Sequence, residues 1–276
     1  MELQTRVNIE KPPFSIMPCE KMLFVGSCFA NGIGQRFRQE AFPATVNPFG
    51  TMYNPASVMH TIERTVDDDY DTVFLTFGTN HVYIEKATGE IVDNCQKRPA
   101  ALFREEVMSV DECADYMRRT VDILLQRNNK SRIVFTVSPI RYRKYGYHES
   151  QLSKATLLLA TDRVISQLCT TSTTLYYFPA YEIFMDELRD YRFYASDMLH
   201  PSPQATDYVW ERLVETLFSS QATAFLSEWR PIRQALEHRP LNPEGEDYRH
   251  FREQTQQRID ALRQIYPNLN ISNFQK

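Results

Sequence analysis

Short runs of consecutive apolar residues alternate along this chain with segments whose apolar residues recur every three or four positions. The runs are Met22-Leu23-Phe24-Val25, Thr72 to Phe77, Arg132 to Val137 and Thr174 to Phe178. Runs of this length, rich in Val, Ile and Phe, predict strands buried on both faces. Helices are predicted between them: Phe29 to Gln39 with Ile33 and Phe37 on one face, and a segment opened by Asn54-Pro55 with Val58, Ile62 and Thr65 at helical spacing. Proline suits a first helical turn. Ser109-Val110-Asp111-Glu112 is a capping box, so a further helix starts there and runs to about Gln126. After a polar, aromatic loop (Arg141 to His148), another helix is expected through Leu152, Ala155, Leu158, Ile165 and Leu168. Tyr181 to Leu188 reads as a short helix, and Pro203 opens one through Val209, Leu213 and Leu217.

Strands separated by helices predict an α/β fold, an open parallel sheet with helices on both faces. His81 to Glu85 and Glu90 to Val92, flanking Ala87-Thr88-Gly89, predict an inserted β-hairpin. Beyond Ser219 the character changes. Leu226 to His238 and Tyr248 to Ile265 are charged helical segments, with Phe251, Ile259, Leu262 and Tyr266 as an apolar stripe. We divide the chain into a sheet domain, residues 1–220, and a C-terminal helical extension, 221–276, that packs on it.

A chain of 276 residues, 42% hydrophobic and 24% charged, can bury a substantial core. Its net charge of -4 gives no footprint for nucleic acid. The opening residues lack the apolar run of a secretory signal, and no stretch approaches a membrane span. Cys19, Cys28, Cys95, Cys113 and Cys169 form no C-x-x-C pair, so neither zinc nor a disulfide framework is expected. The reading is a cytoplasmic protein with reduced thiols and no membrane or nucleic-acid partner. Asp67-Asp68-Asp69 lacks the spacing of a calcium loop, and no glycine-rich phosphate cradle exists, so neither metal nor cofactor is expected. Oligomeric state is not legible.

Ligands of open parallel sheets bind beyond the carboxyl ends of the strands. Ser27, Asn80 and Ser138 all fall at such ends. Ser27 opens a helix, where its hydroxyl stands beside N–H groups able to stabilise an oxyanion. The same position is also where serine acts as a plain helix cap. Cys28 is a rival nucleophile, since a thiol at a helix N-terminus ionises readily. Against it, the residue after such a turn is expected to point into the fold. Asp197 and His200, three residues apart, can hold an imidazole in the tautomer that accepts a serine proton. The Ser27 N–H, the Gly50 N–H and the Asn80 amide would make a three-donor oxyanion hole, although Gly and Asn equally serve turns. Arg141 and Tyr142, in the basic aromatic loop, and His81 are candidates for holding substrate.

Gly26-Ser27-Cys28-Phe29-Ala30 resembles the name motif of the GSCFA family, related to SGNH/GDSL hydrolases. Similar stretches follow in order: Asn47 to Pro55, Phe77-Gly78-Thr79, Asn94-Cys95, Ser138 to Arg141, Ser153-Lys154-Ala155 and Asp197 to Pro201. The resemblance covers about Phe14 to Leu217. It implies a flavodoxin-like three-layer fold, with Ser27, Gly50, Asn80 and His200 as the four block residues and Asp197 completing a triad. Two departures stand out: Gly-Ser-Cys-Phe replaces the usual Gly-Asp-Ser-Leu, and Gln96 stands where a histidine commonly follows Asn-Cys. The implied activity is ester hydrolysis or O-acyl transfer through an acyl-serine, on an acylated small molecule or carbohydrate. The alternatives are a binding or scaffold protein that kept the fold without the activity, and thiol chemistry at Cys28.

Overall fold

Apolar residues that alternate in facing along each strand give this chain its layers. The computed structural model describes residues 4–66, 69–93, 95, 98–168, 174–242 and 244–274. Strands β1 (Met22–Gly26), β2 (Ala44–Val46), β3 (Thr72–Phe77), β7 (Arg132–Val137) and β8 (Leu175–Tyr177) form one parallel sheet in the order β2-β1-β3-β7-β8. Phe24, Phe74 and Val134 look to one face, where α1 (Cys28–Gln39) and α6 (Pro203–Leu217) cover them. Leu23, Val25, Val73, Leu75, Ile133 and Phe135 look to the other, beneath α2 (Pro55–Arg64), α3 (Val110–Arg127) and α4 (Gly146–Leu168). The fold is therefore the three-layer α/β sandwich expected, with β1, β3 and β7 buried along nearly their whole length.

Two strands escape the hydrophobic pattern. β2 is three residues long and follows Pro43, too short to show a period. β6 (Phe103–Val107) carries Arg104, Glu105 and Glu106 on exposed positions, so it reads as a loop. It pairs antiparallel with β4 (His81–Glu85), which also pairs with β5 (Ile91–Val92). The expected hairpin is thus two strands of a three-stranded sheet. Asn94, Gln96, Asp67, Asp68 and Cys169 lie outside the described residues.

The expected apolar stripe of α4 is rotated in the structure. Its buried residues are Ser150, Ser153, Lys154, Leu157, Ala160, Thr161 and Val164, whereas Leu152 and Leu159 are exposed. Apolar and polar residues are mixed around this helix, so no single face is marked out and its surroundings choose which one is buried. Between β8 and α6 runs a short helical turn, α5 (Ala180–Glu182), continued as a π-turn over Ile183–Glu187. The C-terminal segment folds as α7 (Ser220–Glu237) and α8 (Glu246–Ile265). Trp229 is fully buried and donates its indole N–H to Gln39 O at 2.8 Å, and Arg233 pairs with Glu40. Ile259 and Leu262 of the expected stripe are buried, while Phe251 is exposed.

Candidate active site

The first turn of α1 begins where β1 runs against β3 with no room for a side chain. Gly26 has φ +139, and a Cβ there would lie 2.0 Å from Thr76 O. Only glycine tolerates both that conformation and that approach. The Gly26 N–H donates to the buried Asn47 side chain at 2.8 Å, and its carbonyl accepts from Met52 N–H at 2.9 Å. Asn47 Nδ2 donates in turn to Asn31 of α1 at 2.7 Å. The loop carrying Gly50 is thereby tied to the turn carrying Ser27.

Ser27 is the N-cap of α1, its Oγ accepting from Phe29 N–H at 3.2 Å. It is only 2% exposed, and Cys28 is the more accessible of the two, its Sγ 3.8 Å from the Tyr53 hydroxyl. This reverses the orientation expected from the sequence. The capping bond turns the serine hydroxyl back onto its own helix, while the first helical residue projects towards Tyr53. Burial, reinforced by the neighbouring Cys28, pushes the Tyr53 hydroxyl up to about 12. Cys19 and Cys113 are buried free thiols, pushed by that burial up to about 12.

The loop before α6 holds the acid and the imidazole together. Asp197 Oδ1 accepts from Leu199 N–H at 2.9 Å and His200 N–H at 3.0 Å, and its Oδ2 stands 2.6 Å from His200 Nδ1. Those two backbone N–H bonds, then the imidazole, hold the Asp197 carboxyl down at about 2. Met198, at φ +58, supplies the left-handed step that lets three residues close this turn. Arg141 braces the loop from outside: its N–H donates to Leu199 O at 3.2 Å and its guanidinium to Met198 O at 3.4 Å. The same guanidinium lies 4.0 Å from the Tyr147 ring centroid and 5.4 Å from that of Tyr194. Arg141, expected to hold substrate, is thus committed in good part to the His200 loop.

Ser27 opens α1 and His200 precedes α6, and these helices pack side by side on one face of the sheet. Both residues therefore stand at the carboxyl ends of the strands. Among the described residues, Ser27 Oγ makes no hydrogen bond to His200. The expected oxyanion hole is not assembled as free donors. Ser27 N–H continues the β1–β3 ladder to Thr76 O at 3.2 Å, and Gly50 N–H closes a turn on Asn47 O at 2.9 Å. Asn80 Nδ2 gives one hydrogen to Met108 O at 2.7 Å, which leaves its second. Asn80 Oδ1 is buried without a partner among the described residues. The Cys28 N–H, at the first helical position, has no intrahelical acceptor to reach.

His81 stacks on Tyr145, ring centroids 3.7 Å apart and 7° from parallel. Its Nδ1 is buried without a hydrogen bond among the described residues, 3.7 Å from Glu105 Oε1, and burial keeps the ring below its ordinary titration range despite that carboxylate. Tyr142 packs 5.0 Å from Tyr145 and 6.4 Å from Tyr53. An aromatic row thus runs from Cys28 across Tyr53, Tyr142 and Tyr145 to His81. The sequence points to His81 and, through the basic aromatic loop, to Tyr142 and Tyr145, but assigns no role to Tyr53, whose only signal is its place in the Asn47 to Pro55 stretch. A cleft of about 250 Å³ has Ile140, Arg141, Lys154, Tyr181, Phe184 and Tyr194 among its walls; neither Ser27, His200 nor any residue of this row is among the described residues that line it.

The GSCFA family profile matches residues 21–72 and 68–213, and that of the GSCFA domain protein, C-terminal domain, matches 229–275. Comparison with curated protein sequences found no match. Among solved structures, the chain is similar to a candidate platelet activating factor from Streptococcus pneumonia. There the identity is 14%, the coverage 74% of this chain and 85% of that one, and the TM-score 0.49. It is also similar to a GDSL-like lipase from Bacteroides thetaiotaomicron, at 13% identity, 71% and 86% coverage and a TM-score of 0.45. An acetyl-xylooligosaccharide esterase mutant from Geobacillus Stearmophilus gives 16%, 75% and 98%, and 0.45. At these identities the likeness concerns the fold.

Proposed function

The chain belongs to the GSCFA family, and from that premise we propose that it is a serine-dependent ester hydrolase or O-acyltransferase. Ser27 Oγ bonds to the carbonyl carbon of an acylated small molecule or carbohydrate as its proton passes to His200 Nε2. The tetrahedral intermediate collapses when the C–O bond to the alcohol breaks and that oxygen takes the proton from Nε2. Water, or a second hydroxyl, then attacks the acyl-serine with His200 again as base, and Ser27 is restored. Asp197 keeps the Nδ1 proton on its own side, so that Nε2 is the free base. Asn80 Nδ2 and the N–H groups at the start of α1 receive the developing oxyanion. Ser27 Oγ accepts from Phe29 N–H and makes no hydrogen bond to His200 among the described residues, so one of the two side chains has to move for the proton to pass. An acetylated sugar is the substrate class we favour, with cytoplasmic action and residues 221–276 as a packed extension of a 1–220 domain.

The observation that carries this reading is the Asp197–His200 pair, with its 2.6 Å contact and two supporting backbone bonds, at the same sheet edge as Ser27. Labelling with a fluorophosphonate, read by intact mass and peptide mapping, tests it. The expected result is one adduct on Ser27, absent in Ser27→Ala and strongly slowed in His200→Ala. An unlabelled, folded wild type refutes the reading. The occlusion of Ser27 and the engaged N–H groups of Ser27 and Gly50 favour a second one, a binding protein on the same fold that turns nothing over.

A further inference from the structure

The loop from β3 to β4 carries Gly78, Thr79 and Asn80, and two adjacent residues of α4 grip all three. Lys154 Nζ donates to Gly78 O at 2.6 Å. Ser153 Oγ lies 3.0 Å from Thr79 Oγ1 and accepts the Asn80 N–H at 3.0 Å. From the opposite side, the Tyr53 carbonyl accepts the N–H groups of both Gly78 and Thr79 at 2.8 Å. The loop is therefore pinned between the segment following Gly50 and the buried face of α4. Gly78 also lies against the nucleophile: a Cβ on it would approach Ser27 Cβ to 3.3 Å and Tyr53 O to 3.2 Å.

We propose that Ser153 and Lys154 are positioning residues, a clamp that fixes the Gly78–Asn80 loop and so sets the Asn80 amide against Ser27. This rests on the acyl-serine reading above. Both side chains are buried, Lys154 at 3% exposure, on the face of α4 where Leu157, Ala160 and Val164 are otherwise packed. An apolar residue would suit such a face better, because a buried amine loses its hydration. That loss alone pulls the Lys154 amine down to about 7. The lysine is matched to one acceptor, the Gly78 carbonyl, which no methyl-terminated side chain can hold. Ser153 does the same for Asn80 through its backbone, leaving the Asn80 side chain to Met108 and the site. The clamp acts through Asn80, so its loss slows the chemical step without weakening substrate binding.

Two measurements test it. The first is amide hydrogen exchange in the peptide holding residues 78–80, compared in wild type, Ser153→Ala and Lys154→Met. Exchange there should rise at least about tenfold with the strands around it unchanged, since each variant frees that loop; unchanged exchange in both variants overturns the clamp. The second is a double-mutant cycle of Ser153→Ala with Asn80→Ala, read on 4-nitrophenyl acetate turnover and fluorophosphonate labelling rate. Ser153→Ala alone should lower kcat about tenfold or more with KM little altered, a fraction of what losing an oxyanion donor does. In the Asn80→Ala background its further effect should fall below about twofold, because the two act through one group. Multiplicative effects overturn the positioning role. A wild type that neither labels nor turns over ester refutes the acyl-serine reading and the positioning role with it, while the exchange result still decides the clamp.

Discussion

Replacing Lys154 by methionine removes a buried amine whose titration is set by burial alone. Its ordinary value of 10.5 falls to about 7 in the folded protein. That gap corresponds to roughly 5 kcal/mol of folding free energy lost when the group is fully protonated in the unfolded chain and must be buried as a cation. The folded protein binds fewer protons than the unfolded chain between the two values, so stability rises with pH across that window. Between about pH 7 and pH 9 the wild type should gain about 2 kcal/mol from this residue. The charged residues sharing the cleft, Arg141, Arg189 and Asp190, are present in both proteins, so the difference between them isolates the amine. Lys154→Met also leaves the Gly78 carbonyl without its donor, a pH-independent loss of about 1–3 kcal/mol. Urea unfolding at a series of pH values is the assay, with stability taken from midpoint and slope. Wild type should climb relative to the variant as pH rises, and the variant's disadvantage should be least at the acid end. Parallel curves would refute the reasoning.

Gly26→Ala should destabilise the protein by several kcal/mol or prevent folding, since strain at φ +139 adds to a 2.0 Å clash with Thr76 O; thermal unfolding reads it. Asp197→Asn should keep the fold yet lower esterase kcat by about 10⁴, because the amide cannot hold the productive tautomer. Asp197 is held at about 2, so its carboxylate stays ionised well below its ordinary 3.8, and activity should show no acid limb from this group until pH falls towards about 2. His81 titrates below its ordinary 6.5, so the fold resists its protonation and loses stability as pH falls through and below that value. His81→Phe should flatten that acid loss in a melting series while keeping a ring on Tyr145. Arg141→Ala should slow fluorophosphonate labelling by loosening the His200 loop, with little change in the unfolding midpoint.

The runs around Phe24, Phe74 and Val134 determined a parallel α/β sheet by themselves, because only strands dry on both faces tolerate such continuous apolar residues. The Ser27 turn, the Asp197–His200 pairing and the helix starts at Ser109 and Pro203 were equally local, each written within a few consecutive residues. Tertiary structure decided what depends on distant partners. The charged residues of β6 conceal a strand that exists only because β4 supplies a ladder. On α4, leucines at 152, 158 and 159 compete with those the fold chose, and docking against the β3–β4 loop turned Ser153 and Lys154 inward instead. The orientation of Ser27 and Cys28, and the acceptors that engage the Ser27 and Gly50 N–H groups, are likewise set by backbone from β3 and by Asn47. A sequence shows which groups can donate; whether they are already spent depends on atoms brought in from far along the chain.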